Sequence, residues 1–164
     1  MWIGEGFAGE GPDTAHVNTV LGRRDGPVGT AWATALATPR EGHVAFVCVH
    51  RPGLPVQPYT LFVNKAAVAS EAHASLTWGA AQAGVAEGVR DALGAGHLDL
   101  ATVGDLVLIA AVWVDPDAGD AAAVHANNRL ATATALAAGA AGWPAVAELL
   151  DSGPAQNPWF GPSV

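Results

Sequence analysis

The sequence predicts a single-domain α/β (α+β) protein in which a mixed sheet is covered by helices. Three observations lead there. Strand-like and helix-like segments interleave along the chain without separating into two halves. The most apolar run, Leu106 to Val114, reads as a strand buried on both faces. The length of 164 residues suits one domain with a real core.

Taken in order, Trp2 to Phe7 is a short strand ending in the Gly9-Glu10-Gly11-Pro12 turn. Ala15 to Leu21 alternates, with Val17, Thr19 and Leu21 on one face and His16, Asn18 and Val20 on the other, and stops at Gly22. Pro27 opens a helix that passes Trp32 and Leu36 and ends before Pro39. His43 to His50 reads as a buried strand, and Thr60 to Asn64 as another after a proline-rich loop. Ser70 caps a short helix to about Leu76, and a second helix runs from about Gly79 to Leu93. Asp115-Pro116 closes the strand from Leu106. An alanine-rich helix follows from about Asp120 to Ala138, then a short one from Pro144 to Leu150. The tail, residues 151–164, carries Trp159 and Phe160 and is expected to dock on something.

Bulk composition narrows the function. Hydrophobic residues make up 51% and charged ones 13%, with mean hydropathy +0.28, a surplus that suggests burial against copies of itself. The net charge of −8, with no basic run beyond Arg23-Arg24, argues against a nucleic-acid partner. No apolar run is long enough to span a bilayer, and the acidic N-terminal stretch does not read as a signal peptide. The single Cys48 excludes an internal disulfide and metal sites built on cysteine clusters, which favours a cytoplasmic home. No histidine–carboxylate spacing marks a metal site, so no metal is expected.

Two clusters carry potential chemistry. His16 and Asn18 lie two apart on a strand and project together, roughly 6.6 Å apart. An imidazole can give and take protons near neutral pH, although an ordinary polar strand face is the competing account. Lys65 is the one lysine of the chain against six arginines. In a composition that replaces lysine so thoroughly, a retained ammonium points to a task that a guanidinium cannot do; chance is the alternative. Gln82, after Gly79-Ala80-Ala81, begins a long helix where small residues permit close approach of a ligand or of another backbone.

Together these pieces resemble the formaldehyde-activating enzymes. The matching residues include Ile3-Gly4-Glu5, Phe7, Gly9, Gly11, Ala15-His16, Gly26-Pro27-Val28, Gly42-His43, Arg51-Pro52, Lys65, Gly79, Ala81-Gln82, Asp105-Leu106 and Asn157-Pro158. They keep their order over about residues 2 to 160. The resemblance implies an α/β fold assembled as a ring of five subunits, with a pterin bound between neighbours. It implies that His16 is the catalytic acid and that Asn18, Val47, Lys65, Ala67 and Gln82 contact the substrate.

The implied reaction joins formaldehyde to tetrahydromethanopterin, a co-substrate, and releases water; it serves one-carbon metabolism and formaldehyde detoxification and needs no metal. Two positions depart from the family pattern: Asn18 stands for an aspartate and Ala67 for a threonine. Asn18 keeps an acceptor oxygen but loses the charge that would favour an imidazolium at His16. These departures leave two further readings open: a different amine or pterin acceptor, or a ring-forming carbonyl or pterin binder without turnover.

Overall fold

The computed structural model describes residues 1–157. Among these residues, seven strands and five α-helices follow one another as β1 (Trp2–Ala8), β2 (Ala15–Arg23), α1 (Pro27–Ala37), β3 (Phe46–Val47), β4 (Val49–Arg51), β5 (Leu54–Pro55), β6 (Tyr59–Asn64), α2 (Glu71–Ser75), α3 (Gln82–Gly94), β7 (Leu106–Trp113), α4 (Ala121–Ala141) and α5 (Val146–Asp151). Five strands form a mixed sheet in the order β1-β2-β7-β6-β3, while β4 and β5 pair as a separate ribbon. Only β6 and β7 run parallel; the other neighbours are antiparallel.

The core lies between one face of this sheet and the α3–α4 layer. Val17, Leu21, Phe62, Leu108, Ala110 and Val112 from the strands meet Val85, Val89, Val124, Ala131 and Leu136 from the helices. Each such Val, Leu or Phe contributes about 1.5–3 kcal/mol by leaving water. Glycine brings α4 down onto β1: a Cβ at Gly4 would stand 1.8 Å from the Ala135 carbonyl oxygen, and one at Gly6 2.1 Å from that of Ala131. The sequence Gly-Glu-Gly-Phe therefore turns its glycines toward α4 and its two large side chains toward the opposite face.

That opposite face carries the candidate site residues His16 and Asn18 of β2. Helix α1 covers one end of it, with Val28 packed on Gly22 and the Trp32 indole N–H donating to the Tyr59 carbonyl at 3.1 Å. Elsewhere Ile109, Ala111 and Trp113 of β7 are half-buried. The expected cover on both faces of β7 is thus complete on one face and partial on the other.

Several boundaries differ from the sequence reading. Strand β2 passes through Gly22 because a missing Cβ admits Val28, whose Cγ2 would lie 2.6 Å from one. The buried strand expected over residues 43–50 is two short pieces in different sheets, with Val44 and His50 exposed. Cys48 sits at the break, its N–H on the Thr60 carbonyl and its own carbonyl on the Val56 N–H. The helix expected to stop at Leu76 runs on through a π-helical turn, Leu76–Ala81, into α3. The expected Ser70 cap is in place, its Oγ accepting from the His73 N–H; Asp120, the expected start of the alanine-rich helix, caps it, its Oδ1 accepting from the Ala122 and Ala123 N–H groups. Residues 151–157 are exposed, and Trp159 and Phe160 of the expected docked tail lie outside the described residues.

Candidate functional site

Strand register sets the site. On the open face Phe7 pairs with His16, and His16 with Trp113. Lys65, one residue past β6, extends the parallel ladder by donating its N–H to the Val112 carbonyl at 2.8 Å. Phe7, His16, Trp113 and Lys65 thus form one row across the sheet. The next row holds Glu5 opposite Asn18, then Ala111 and Val63.

The side chains of these rows meet. Lys65 Nζ lies 3.2 Å from His16 Nδ1 and 3.4 Å from the His16 carbonyl oxygen. Glu5 Oε1 lies 3.2 Å from His16 Nε2. The Phe7 ring stacks on the imidazole, centroids 4.0 Å apart and planes within 8°. Behind Lys65, buried Asn64 donates from Nδ2 to the Gly42 and Ala66 carbonyls at 2.7 Å each, fixing the turn that presents the lysine.

Electrostatics decide where the proton sits. Burial, and then the Lys65 charge, lower the His16 imidazole to about 4. Burial also lowers the Lys65 ammonium to about 8, against the opposing pull of Glu5. At neutral pH the ring is neutral: its Nε2–H donates to Glu5, and its Nδ1 accepts from the ammonium. The resident proton of the pair is therefore on Lys65. His16 becomes a proton donor only after it takes one from Lys65 or once the lysine charge is gone.

The other candidates lie apart. Ala67 is exposed in the turn after Lys65, against Gly42. Val47 shares a row with Leu61, Ile109 and Val20, three strands across and four residues along from His16, roughly 20 Å away by strand geometry. Gln82 is buried, and its amide is already engaged: Oε1 accepts from the Val49 N–H at 3.0 Å, and Nε2 donates to the Val49 carbonyl at 3.2 Å. Glu5 and Phe7 are the site residues that sequence reasoning missed. The alternation Gly4-Glu5-Gly6-Phe7 carried the signal, since glycines against a helix send their neighbours to the other face.

A cavity of about 480 Å³ adjoins the row at Trp113, with Glu10, Asp115 and Asp117 in its lining. Among the described residues, no group of three or more histidine, cysteine or acidic side chains could hold a metal ion, and no helix is long and apolar enough to cross a membrane. His73, buried, is structural: its Nδ1 accepts from the Ala69 N–H, so its Nε2–H donates to the Val114 carbonyl.

A single α+β domain thus presents an amine, an imidazole and a carboxylate together on a half-covered sheet face. The chain belongs to the formaldehyde-activating enzyme (Fae) family, which matches residues 3–158. It is 38% identical over 148 residues to a 5,6,7,8-tetrahydromethanopterin hydro-lyase of Methanosarcina barkeri, covering 90% of this chain and 83% of that one. It is also 39% identical over 150 residues to a bifunctional enzyme Fae/Hps of Methanococcoides burtonii, and 38% over 148 residues to one of Methanosphaera stadtmanae. The chain spans only 38% and 36% of those longer relatives.

Proposed function

We propose that the chain condenses formaldehyde with a reduced pterin, tetrahydromethanopterin, to give the methylene-pterin and water. The observation that carries this reading is the Glu5–His16–Lys65 array on the open sheet face of a chain in this family. The half-buried Trp113 and Ala111, in register with His16 and Asn18, offer apolar surface to a planar heteroaromatic ring. Expulsion of hydroxide from the formaldehyde adduct needs a proton, and His16 is the group to relay it, for roughly 10²–10⁴-fold. Holding amine and aldehyde together adds an orientation contribution. Lys65 and Asn18 flank the reacting centre in this reading.

Val47 and Gln82 stand far from His16 within one chain, so their contribution belongs to a site shared between subunits, with Ala67 at its margin. A homopentameric ring agrees with the exposed apolar groups Ile3, Phe7, Val44 and Trp78, the first 59% exposed. The chain is read as one domain over 1–164, with 151–164 as a docked tail, working in the cytoplasm in one-carbon metabolism and formaldehyde detoxification. Asn18 and Ala67 favour a second reading, in which the same chemistry serves a different amine or pterin.

The test is rapid-mixing spectroscopy of formaldehyde with tetrahydromethanopterin, comparing no protein, the native chain and His16→Ala. Acceleration that disappears in the variant supports the reading; none at saturating protein overturns it. Sedimentation equilibrium of the native chain tests the five-fold assembly.

A further inference from the structure

We infer that Lys65 is itself a covalent acceptor of formaldehyde, forming an iminium that hands its methylene group to the amine substrate. This inference rests on the proposed formaldehyde chemistry but reaches a step that the proposal does not need.

The geometry supplies each requirement. A lysine nucleophile needs a free amine, a base within reach and a route for returning the proton. Lys65 Nζ has His16 Nδ1 at 3.2 Å, and His16 Nε2 is anchored on Glu5 at 3.2 Å. The imidazole is 22% exposed and Lys65 half-buried on the open face, so a two-heavy-atom aldehyde can reach them. The lowered ammonium, at about 8, leaves a useful fraction of free amine near neutral pH. The chain's one thiol does not compete: Cys48 is fully buried and its ionisation is pushed up to about 12.

The steps balance without any co-reactant. The Lys65 ammonium passes one proton to His16 Nδ1, and the free amine adds to the formaldehyde carbon. A proton moves from the new N–C ammonium to the alkoxide, leaving Lys65 Nζ–CH₂OH. The imidazolium then protonates that hydroxyl, which departs as water while the nitrogen lone pair forms C=N⁺. The net change is ammonium plus formaldehyde to iminium plus water. Attack by the substrate amine on this carbon, with His16 taking the amine's proton and returning it to Nζ, releases Lys65 and transfers the methylene. Loss of the ammonium charge on capture also lifts one of the two influences that keep His16 deprotonated, so the ring keeps its proton more readily until the hydroxyl must leave.

The composition makes the test clean, because Lys65 and the α-amine at Met1 are the chain's two primary amines. The native protein, without any pterin, is mixed with limiting isotope-labelled formaldehyde and cyanoborohydride at neutral pH, and the peptides are weighed. Reduction of the iminium adds one CH₂ to the amine. Lys65 is expected to take roughly tenfold or more label than Met1, given the usual scale of acid–base assistance. The preference is expected to fall toward parity in His16→Asn and in the urea-unfolded native chain. Parity in the folded native protein, or an undiminished preference in both controls, overturns the inference. Parity alongside accelerated pterin condensation removes the lysine route and leaves the proposed function standing. Preferential labelling with no condensation removes the pterin reaction and leaves the capture site.

Discussion

Lys65 Nζ and His16 Nδ1 lie 3.2 Å apart, on opposite sides of Trp113 in the strand register, and carry one positive charge between them at neutral pH, on the lysine. The two groups cannot both be charged without cost, so each titration reports on the other. Replacing Lys65 by Met is expected to raise the His16 titration above about 4, because one cause of its depression is the lysine charge. It is expected to stay below the ordinary 6.5, because burial is the larger cause. Imidazole proton shifts followed by NMR against pH measure this directly. An unmoved titration would mean that the lysine charge is screened from the ring.

Glu5 fixes the tautomer that this arrangement requires. Its carboxylate accepts from Nε2, leaving Nδ1 free to face the lysine. A glutamine at position 5 can present an NH₂ to Nε2 instead and favour the Nδ1–H tautomer, which confronts Lys65 donor to donor. Glu5→Gln is expected to lower the condensation rate about tenfold or more with little change in substrate affinity, as tautomer errors in triads do. Glu5→Asp is expected to recover part of the loss. Single-turnover rates across the three proteins decide it; equal rates would leave Glu5 a bystander.

Acid stability follows from the same ring. Folded His16 titrates near 4 and an unfolded histidine near 6.5. Between those values the unfolded chain holds more protons, so stability rises with pH across the window. The contribution is fully present above about 6.5 and is lost as pH falls toward 4. For a partly exposed ring it amounts to about 1–2 kcal/mol after screening. Urea melts at pH 7 and pH 4.5 are expected to differ by more in the native protein than in His16→Gln. Equal differences would assign the acid lability to other groups.

The fold was legible where local pattern and tertiary environment agree. The β2 alternation set Val17, Thr19 and Leu21 on one face and His16 and Asn18 on the other, and the structure buries the first set. The Ser70 cap and the start near Asp120 mark real helix starts. Residues 43–50 misled because their apolar run reflects two different environments, a sheet edge at Phe46–Val47 and a ribbon at Val49–Arg51, joined through Cys48. The site was half legible. His16 and Lys65 stand out as residue types, but their contact spans 49 residues and depends on the β2-β7-β6 order, which no local signal carries. Glu5 escaped notice because its role follows from register against His16 and Asn18, not from its neighbours in sequence.

Close approach of α4 to β1 holds Glu5 and Phe7 in place. Gly6→Ala would drive a Cβ to 2.1 Å from the Ala131 carbonyl oxygen, a contact that neither backbone can relieve without moving. A loss of about 1–3 kcal/mol is expected, as for other overpacked cores. Gly104→Ala, with nothing within 4 Å of its Cβ, is the matched control and is expected to be near neutral. Thermal melts of both compare them; equal stability would show that α4 gives way easily.

Asn18 faces Glu5 across the β1–β2 pair, so Asn18→Asp sets a second carboxylate directly opposite the first. Negative charge on this row favours the ammonium form of Lys65, as Glu5 already does. The lysine is therefore expected to titrate above about 8 in the variant, which reduces the free amine at neutral pH. Reductive trapping of formaldehyde on Lys65 is expected to fall several-fold at pH 7 and to recover at higher pH, where the amine is released. Measuring the trapping rate from pH 6 to pH 10 in both proteins separates the outcomes. A profile displaced to higher pH with the same plateau makes the native asparagine a device for keeping Lys65 nucleophilic. Superimposable profiles would show that the charge at position 18 does not reach the amine.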